Sequence, residues 1–359
     1  MAPRHAWRWV PMILALALAG FILFDVGMSE EGVAASVTPA VVWRVILRHT
    51  PLLARTVPAP QTPDEIRTEA KFDNLVWRIR MPRVVGGVII GMLLAMAGVA
   101  FQSFLMNPLA DPYMVGVSAG SALGSAIVIL LGGFGWLAGL GQSLAAFVAG
   151  MLAMLFIAGI ARIGGRLSAQ TFLLAGFVMG AFVYSITKLV VALANRSGDT
   201  GRAGAILSQL LGSLQLVDWR SVLLLLPFGV LGGILLWTSA RELDMMALGE
   251  ESAARLGVNT EAFKRRIIAA GSLVTAATVA VAGIIGFVGM VVPHIARRLV
   301  GPNHVRLIPT AMLLGGLVLV ASDWLSRVYL HQLEVGVITS LFGAPVFCYL
   351  LRTRLAARW

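Results

Sequence analysis

The residues of this chain that could do covalent or metal chemistry are few and stand apart. Its lysines are Lys71, Lys188 and Lys264, and none follows a glycine as the lysine of a G-x-x-x-x-G-K-[ST] phosphate loop must. ATP hydrolysis by this chain is therefore not expected. Five histidines are scattered through the sequence, and neither an H-E-x-x-H pair nor a nucleophile elbow is read. His294, in "VPHIARR" near a helix end, reads as a structural or loop-fixing residue rather than a ligand. The single cysteine, Cys348, excludes a disulfide framework and a cysteine-ligated metal site. No catalytic, cofactor-binding or metal-binding residue is assigned.

What remains is charge and backbone chemistry at particular spacings. Arg80 and Arg83 in "RIRMPR" stand three apart, on one face if helical, and read alone as interfacial anchors. Asp323 and Arg327 stand four apart and can pair. Lys188 lies far along its apolar segment and can snorkel to the outer interface. No uncompensated charge sits at the centre of an apolar segment, which is the mark of a proton or ion path. A secondary, ion-driven transporter is accordingly the alternative reading. In "MNPLADPYMVG", residues 106–116, Pro108 and Pro112 remove amide donors and disfavour helix before them, while Asn107 and Asp111 can bond the freed backbone or cap the next helix. In "ALGEESAARLGVN", Gly249 can end one turn and Glu250 and Glu251 favour a helix start. Arg255 and Gly257 favour its finish.

The elements that position these residues follow from composition. The chain is 58% hydrophobic and 13% charged, against about 25% charged in soluble domains. Its net charge of +11 is spread between apolar segments, where basic residues set membrane orientation, so nucleic acid is not an expected partner. A spanning helix needs about 20 apolar residues. Such segments centre on 10–28, 84–105, 115–131, 137–160, 171–193, 221–239, 267–284, 286–300, 307–324 and 336–351. The expected fold is all-α and polytopic, with about ten transmembrane helices in a single domain, 1–359, carrying an external segment at 29–83 and a cytoplasmic loop at 241–266. The stretch "GIIGFVGMVVPHIARRL" allows either a short turn between two helices or one kinked helix. The segment around "RTVPAPQTPDEIRTEAKFDN" reads as partly irregular. Placing both termini in the cytoplasm puts Arg162, Arg166, Arg241, Arg255, Lys264, Arg265, Arg266, Arg297, Arg298, Arg306, Arg352, Arg354 and Arg358 inside, as the positive-inside rule prefers.

Four collinear blocks carry a resemblance: "IRMPRVVGGVIIGMLLAMAGVAFQSFLMNPLADPYMVGVSAGSALG", "MMALGEESAARLGVN", "GFVGMVVPHIARRLVGPNH" and "VGVITSLFGAPVFCYLL". Over residues 75–352 the chain resembles the permease subunits of the iron-chelate (siderophore or haem) and cobalamin family of type II ABC importers. The resemblance implies a homodimer in the bacterial inner membrane, with two cytoplasmic ATPase subunits that bind ATP and Mg and a soluble binding protein outside. It implies that Leu248, Gly249, Glu250, Glu251, Ala253, Arg255, Leu256 and Gly257 form a coupling helix, with Leu248, Ala253 and Leu256 as its apolar contacts. It implies that Arg80, Arg83 and Arg327 receive carboxylates of the binding protein. It places Asn107, Pro108 and Leu109 at a cytoplasmic gate, with Ala169 and Gln170 where the family often carries small hydroxyl residues. The apolar wall residues offer no selective metal ligand, so a bulky chelate would be chosen by the binding protein.

Overall fold

Each of the ten apolar segments forms a helix in the computed structural model of the chain, which describes residues 9–27, 39–50, 55, 62–132, 140–164, 166–196 and 199–356. In chain order the helices are α1 (Trp9–Gly27), α2 (Pro39–His49), α3 (Pro63–Asp73), α4 (Met81–Phe104), α5 (Val117–Leu130), α6 (Gly141–Ile160), α7 (Ala169–Arg196), α8 (Thr200–Leu211) and α9 (Trp219–Thr238). They continue with α10 (Ala240–Met246), α11 (Glu250–Arg255), α12 (Thr260–Ala282), α13 (Val288–Val300), α14 (His304–Tyr329) and α15 (Val335–Ala356). A two-residue hairpin, β1 (Arg162–Ile163) with β2 (Arg166–Leu167), precedes α7. Among the described residues, seven helical stretches are long and apolar enough to cross a membrane unaided. Helices α5 and α15 are shorter apolar helices. The 13 residues of α13 span only about 20 Å.

The segment before α4 is more regular than its mixed charge suggests. Thr62 accepts the Glu65 N–H, the Glu65 carboxylate accepts the Thr62 N–H, and Pro63 occupies the first turn, which is a complete capping box. From Pro63 the chain runs through α3 and a wide π turn, Asn74–Arg80, into α4 as one helical rod of 42 residues. Of the stretch expected to be partly irregular, the part from Pro63 onward is helical, and residues 56–61 lie outside the described residues.

Helix α4 is the axis of the bundle, buried along nearly its whole length. Small residues permit that burial. A Cβ on Gly91 would lie 2.3 Å from the Gly315 carbonyl oxygen, and one on Gly98 would lie 1.8 Å from that of Gly289. Backbones of α14 and α13 therefore touch α4 directly, the close approach that supplies packing between helices in lipid.

The ambiguous 286–300 boundary resolves as a break: α12 ends at Ala282, and Gly283–Phe287 is irregular before α13, with Gly283 and Phe287 at positive φ. Irregular backbone at membrane depth must find partners within the protein. Here the Ser213 N–H reaches Ala282 O at 2.8 Å, Ile284 N–H reaches Gln209 O at 3.3 Å, and Ile285 N–H reaches the Tyr113 hydroxyl at 3.1 Å. The extra helix α8 thus supplies, through Gln209 O, one acceptor that the break requires.

Successive spans run antiparallel and sort the polar contacts to two ends. One end gathers the close of α4, the β-hairpin, α10, α11 and the start of α14, joined by the contacts Lys264–Leu167, Arg266–Glu242 and His304–Asp244. The other gathers the end of α1, the start of α4 and the end of α14, joined by Arg83–Asp323 and Arg327–Asp25.

Candidate functional site

The turn between α4 and α5 is held by its own polar residues. Asn107 Oδ1 accepts the Leu109 N–H at 2.9 Å and the Asn107 N–H reaches Gln102 O at 3.0 Å. Asp111 Oδ1 accepts the Tyr113 N–H at 3.0 Å. These are side-chain mimics of a backbone turn. Burial pushes the Asp111 carboxyl up to about 6, against amide hydrogen bonds from Tyr113 and Phe287 that favour its charge. Gly116 follows with φ of 85°, and a Cβ there would lie 2.6 Å from Ile157 Cδ1. Only glycine meets both demands at no cost.

This turn stands beside the start of α7. Phe104 and Phe172 meet edge-on with ring centroids 6.2 Å apart. Ala169 and Gln170 open α7 directly after the hairpin; Ala169 packs half-buried against the core and Gln170 is exposed. The structure therefore brings the two segments of the expected gate to the same corner of the bundle.

The expected short helix is present as α11. Gly249 at φ 102° precedes it and Gly257 at φ 90° follows one residue after its Leu256 cap, two positive-φ positions that bracket the six-residue helix. Leu248 and Leu256 are 68% and 59% exposed, unsupported by their own chain. Ala253 is fully buried and forms the foot of the helix rather than part of its exposed apolar face. Glu250 stays about half exposed but is tied back to its own chain. Its carboxylate accepts from Lys264 Nζ at 2.6 Å, while the same ammonium reaches Glu261 Oε1 at 3.0 Å and Leu167 O at 3.1 Å. Glu261 Oε2 accepts the Leu167 N–H at 3.1 Å. Lys264 and Glu261 thereby fasten α11 to the hairpin that leads into α7.

At the opposite end the three arginines are not on the surface. Arg80, Arg83 and Arg327 are 4%, 8% and 7% exposed. Arg83 forks onto Asp323, with Nε 3.1 and 3.0 Å from its two oxygens and Nη2 at 2.8 Å. Arg327 Nε reaches Asp323 Oδ2 at 3.1 Å, as the four-residue spacing suggested, and its Nη2 bonds Asp25 of α1. Arg80 Nη1 donates to Val26 O at 3.0 Å. The three arginines expected to receive a partner's carboxylates are thus engaged by groups of their own chain. Two guanidiniums and two carboxylates neutralise each other in the interior, and a partner's carboxylate would have to break those contacts to reach them.

Other readings resolve simply. Lys188 is exposed on α7 with its ammonium 4.7 Å from the Tyr184 ring centroid. His294 is buried in α13, and among the described residues there is no group of three or more His, Cys, Asp or Glu that could hold a metal. A G-x-S-x-G string does occur at Gly116–Gly120, which the sequence reading passed over. It follows the Pro112–Val115 turn rather than a strand, and Ser118 is buried in the first turn of α5, so it lacks the exposed strand-to-helix elbow of a hydrolase.

Comparison with known proteins places this architecture. The FecCD transport family profile matches residues 33–353. The chain is 42% identical over 289 residues to the uncharacterized ABC transporter permease protein YvrB of Bacillus subtilis, covering 78% of this chain and 79% of that protein. It is 40% identical over 280 residues to the cobalamin import system permease protein BtuC of Halobacterium salinarum, covering 78% and 74%. Among solved structures, one described as an inward-facing conformation of a metal-chelate type ABC transporter superposes with a TM-score of 0.77 over 96% of this chain and 99% of that one, at 23% identity.

Proposed function

We propose, from the premise that this chain belongs to the FecCD transport family of ABC importer permeases, that two copies form the path for a bulky chelate or corrinoid driven by a separate ATPase. The observation that carries the reading is the placement of α11. It projects exposed Leu248 and Leu256 from the same end of the bundle that holds the Asn107–Leu109 turn. Two large apolar side chains at the tip of a polar loop mark a protein interface rather than a solvated connector. We assign that end to the cytoplasm, together with both termini, because the short basic loops lie there. The Asn107–Leu109 turn and the start of α7, with Ala169 and Gln170, form the inner gate. The binding protein docks at the opposite end through groups other than Arg80, Arg83 and Arg327, which hold one another and Asp25.

The fork between a corrinoid and an iron chelate is decided by uptake. The permease, its cognate ATPase and its binding protein are reconstituted in vesicles and offered labelled cobalamin, haem or a ferric siderophore in turn. We expect ATP-dependent accumulation of one class, undiminished by a protonophore. Accumulation that a protonophore abolishes and ATP does not support would overturn the reading in favour of an ion-driven carrier.

A further inference from the structure

A pocket of about 600 Å³ separates the loop that bears α11 from the turn after α4. Met106 and Pro108 line one side, and Ala247 and Leu248 line another. Across it runs a chain of three side chains. Asp244 Oδ1, on α10, lies 2.6 Å from His304 Nδ1, and His304 Nε2 lies 2.5 Å from the Ser103 hydroxyl on the last turn of α4. The aspartate also accepts the His304 backbone N–H at 3.0 Å and the Asn303 side-chain amide at 3.1 Å. It therefore grips the first turn of α14 at three points. Ser103 is four residues before Asn107, and Asp244 is four residues before Leu248.

We propose that Asp244, His304 and Ser103 form a rigid bridge that carries displacement of the α11 loop to the gate turn. The proposal rests on the coupling and gate roles proposed above and names the residues that join them. With Asp244 accepting from Nδ1–H, Nε2 is left to accept the Ser103 hydroxyl. The imidazole thus spans two helices as a flat strut whose orientation is fixed at both nitrogens. A strut of this kind transmits a push because lengthening either hydrogen bond leaves a nitrogen of the buried imidazole, whose side chain is 5% exposed, without its partner. The same three residue types serve as the relay of serine hydrolases, but the surroundings do not. The N–H groups next to Ser103 are spent on Leu105–Phe101, Met106–Ser103 and Asn107–Gln102 contacts, which leaves no donor pair to stabilise an oxyanion. The bridge is mechanical.

The test uses the assembled transporter with a cysteine at 109 in a Cys348→Ser background, labelled by a membrane-impermeant maleimide without nucleotide and in the ATP–vanadate state. With Ser103 in place the labelling rates should differ several-fold between states. Ser103→Ala should bring that ratio close to one while ATP hydrolysis stays within about twofold, and Ser103→Thr, which keeps the hydroxyl, should restore the ratio. His304→Asn, too short to reach position 103, should match Ser103→Ala, and the two together should be no worse than either. A full ratio in Ser103→Ala, or effects that multiply in the pair, would overturn the bridge. A ratio of one with Ser103 intact would overturn the gate assignment itself, and the bridge with it.

Discussion

Replacing Asp323 by Asn tests the buried charge cluster at the end opposite α11. Asp323 accepts from both Arg83 and Arg327, and its side chain is 2% exposed. Without its charge, two buried guanidiniums face the single carboxylate of Asp25, itself fully buried. Breaking a buried pair by removing one partner costs about 3–5 kcal/mol, because the other charge stays buried. That is a factor of about a hundred or more in the folded ratio. The assay is unfolding in detergent followed by tryptophan fluorescence, to which Trp324 contributes from its packing against Phe21 and Phe24 of α1 with ring centroids 6.1 and 5.8 Å away. Asp323→Asn should lower the midpoint by several degrees. Arg83→Met combined with Asp323→Leu should lower it less than Asp323→Asn alone, since that pair leaves Arg327 and Asp25 balanced. An unchanged midpoint in Asp323→Asn, with binding-protein association lost on charge reversal of Arg83, would refute the internal pairing and return these arginines to the surface.

Three further outcomes follow from the geometry. Leu248→Asp with Leu256→Asp should leave the midpoint of unfolding unchanged, both side chains being exposed, yet abolish co-purification of the ATPase. Glu250→Gln should instead lower stability, because it removes a carboxylate from Lys264. For Asp111, burial raises the folded value to about 6 from 3.8, so the folded state holds the proton more tightly and stability falls as pH rises between those values. Asp111→Asn should flatten that slope over pH 4–6, removing a penalty on the order of 3 kcal/mol at neutral pH, as read from unfolding midpoints across that range.

The membrane fold was legible because each span needs a run of about 20 apolar residues, and no tertiary contact is required to see one. The helix at 250–255 was legible for a local reason too: two glycines at positive-φ positions bracket it. Helix α8 was not, since its 12 residues are too short and too amphipathic for a span; Ala203 and Ile206 are buried in a satellite cluster with residues of α5 and α7. The internal partners of the arginines were hidden because spacing reveals only near neighbours. Asp323–Arg327 shows at four residues, whereas Asp25 lies 302 residues from Arg327. Ser103 and His304, 201 residues apart, are hidden for the same reason. The resemblance implied that Ala253 is a contact residue, and its burial against the core became visible only with the packed end of the bundle.

The account stands or falls on whether the Asn107–Leu109 turns of two copies meet at the inner end of the path and part under control of the ATPase. The most direct measurement is the intersubunit disulfide yield of single cysteines at 107 and 109, in Cys348→Ser, for the reconstituted transporter without nucleotide, with ATP and with ATP–vanadate. The account predicts crosslinked dimer in at least one state, with a yield that changes several-fold between states. No crosslink in any state, from protein shown to be dimeric and active in uptake, would contradict it and leave "MNPLADPYMVG" as only a turn.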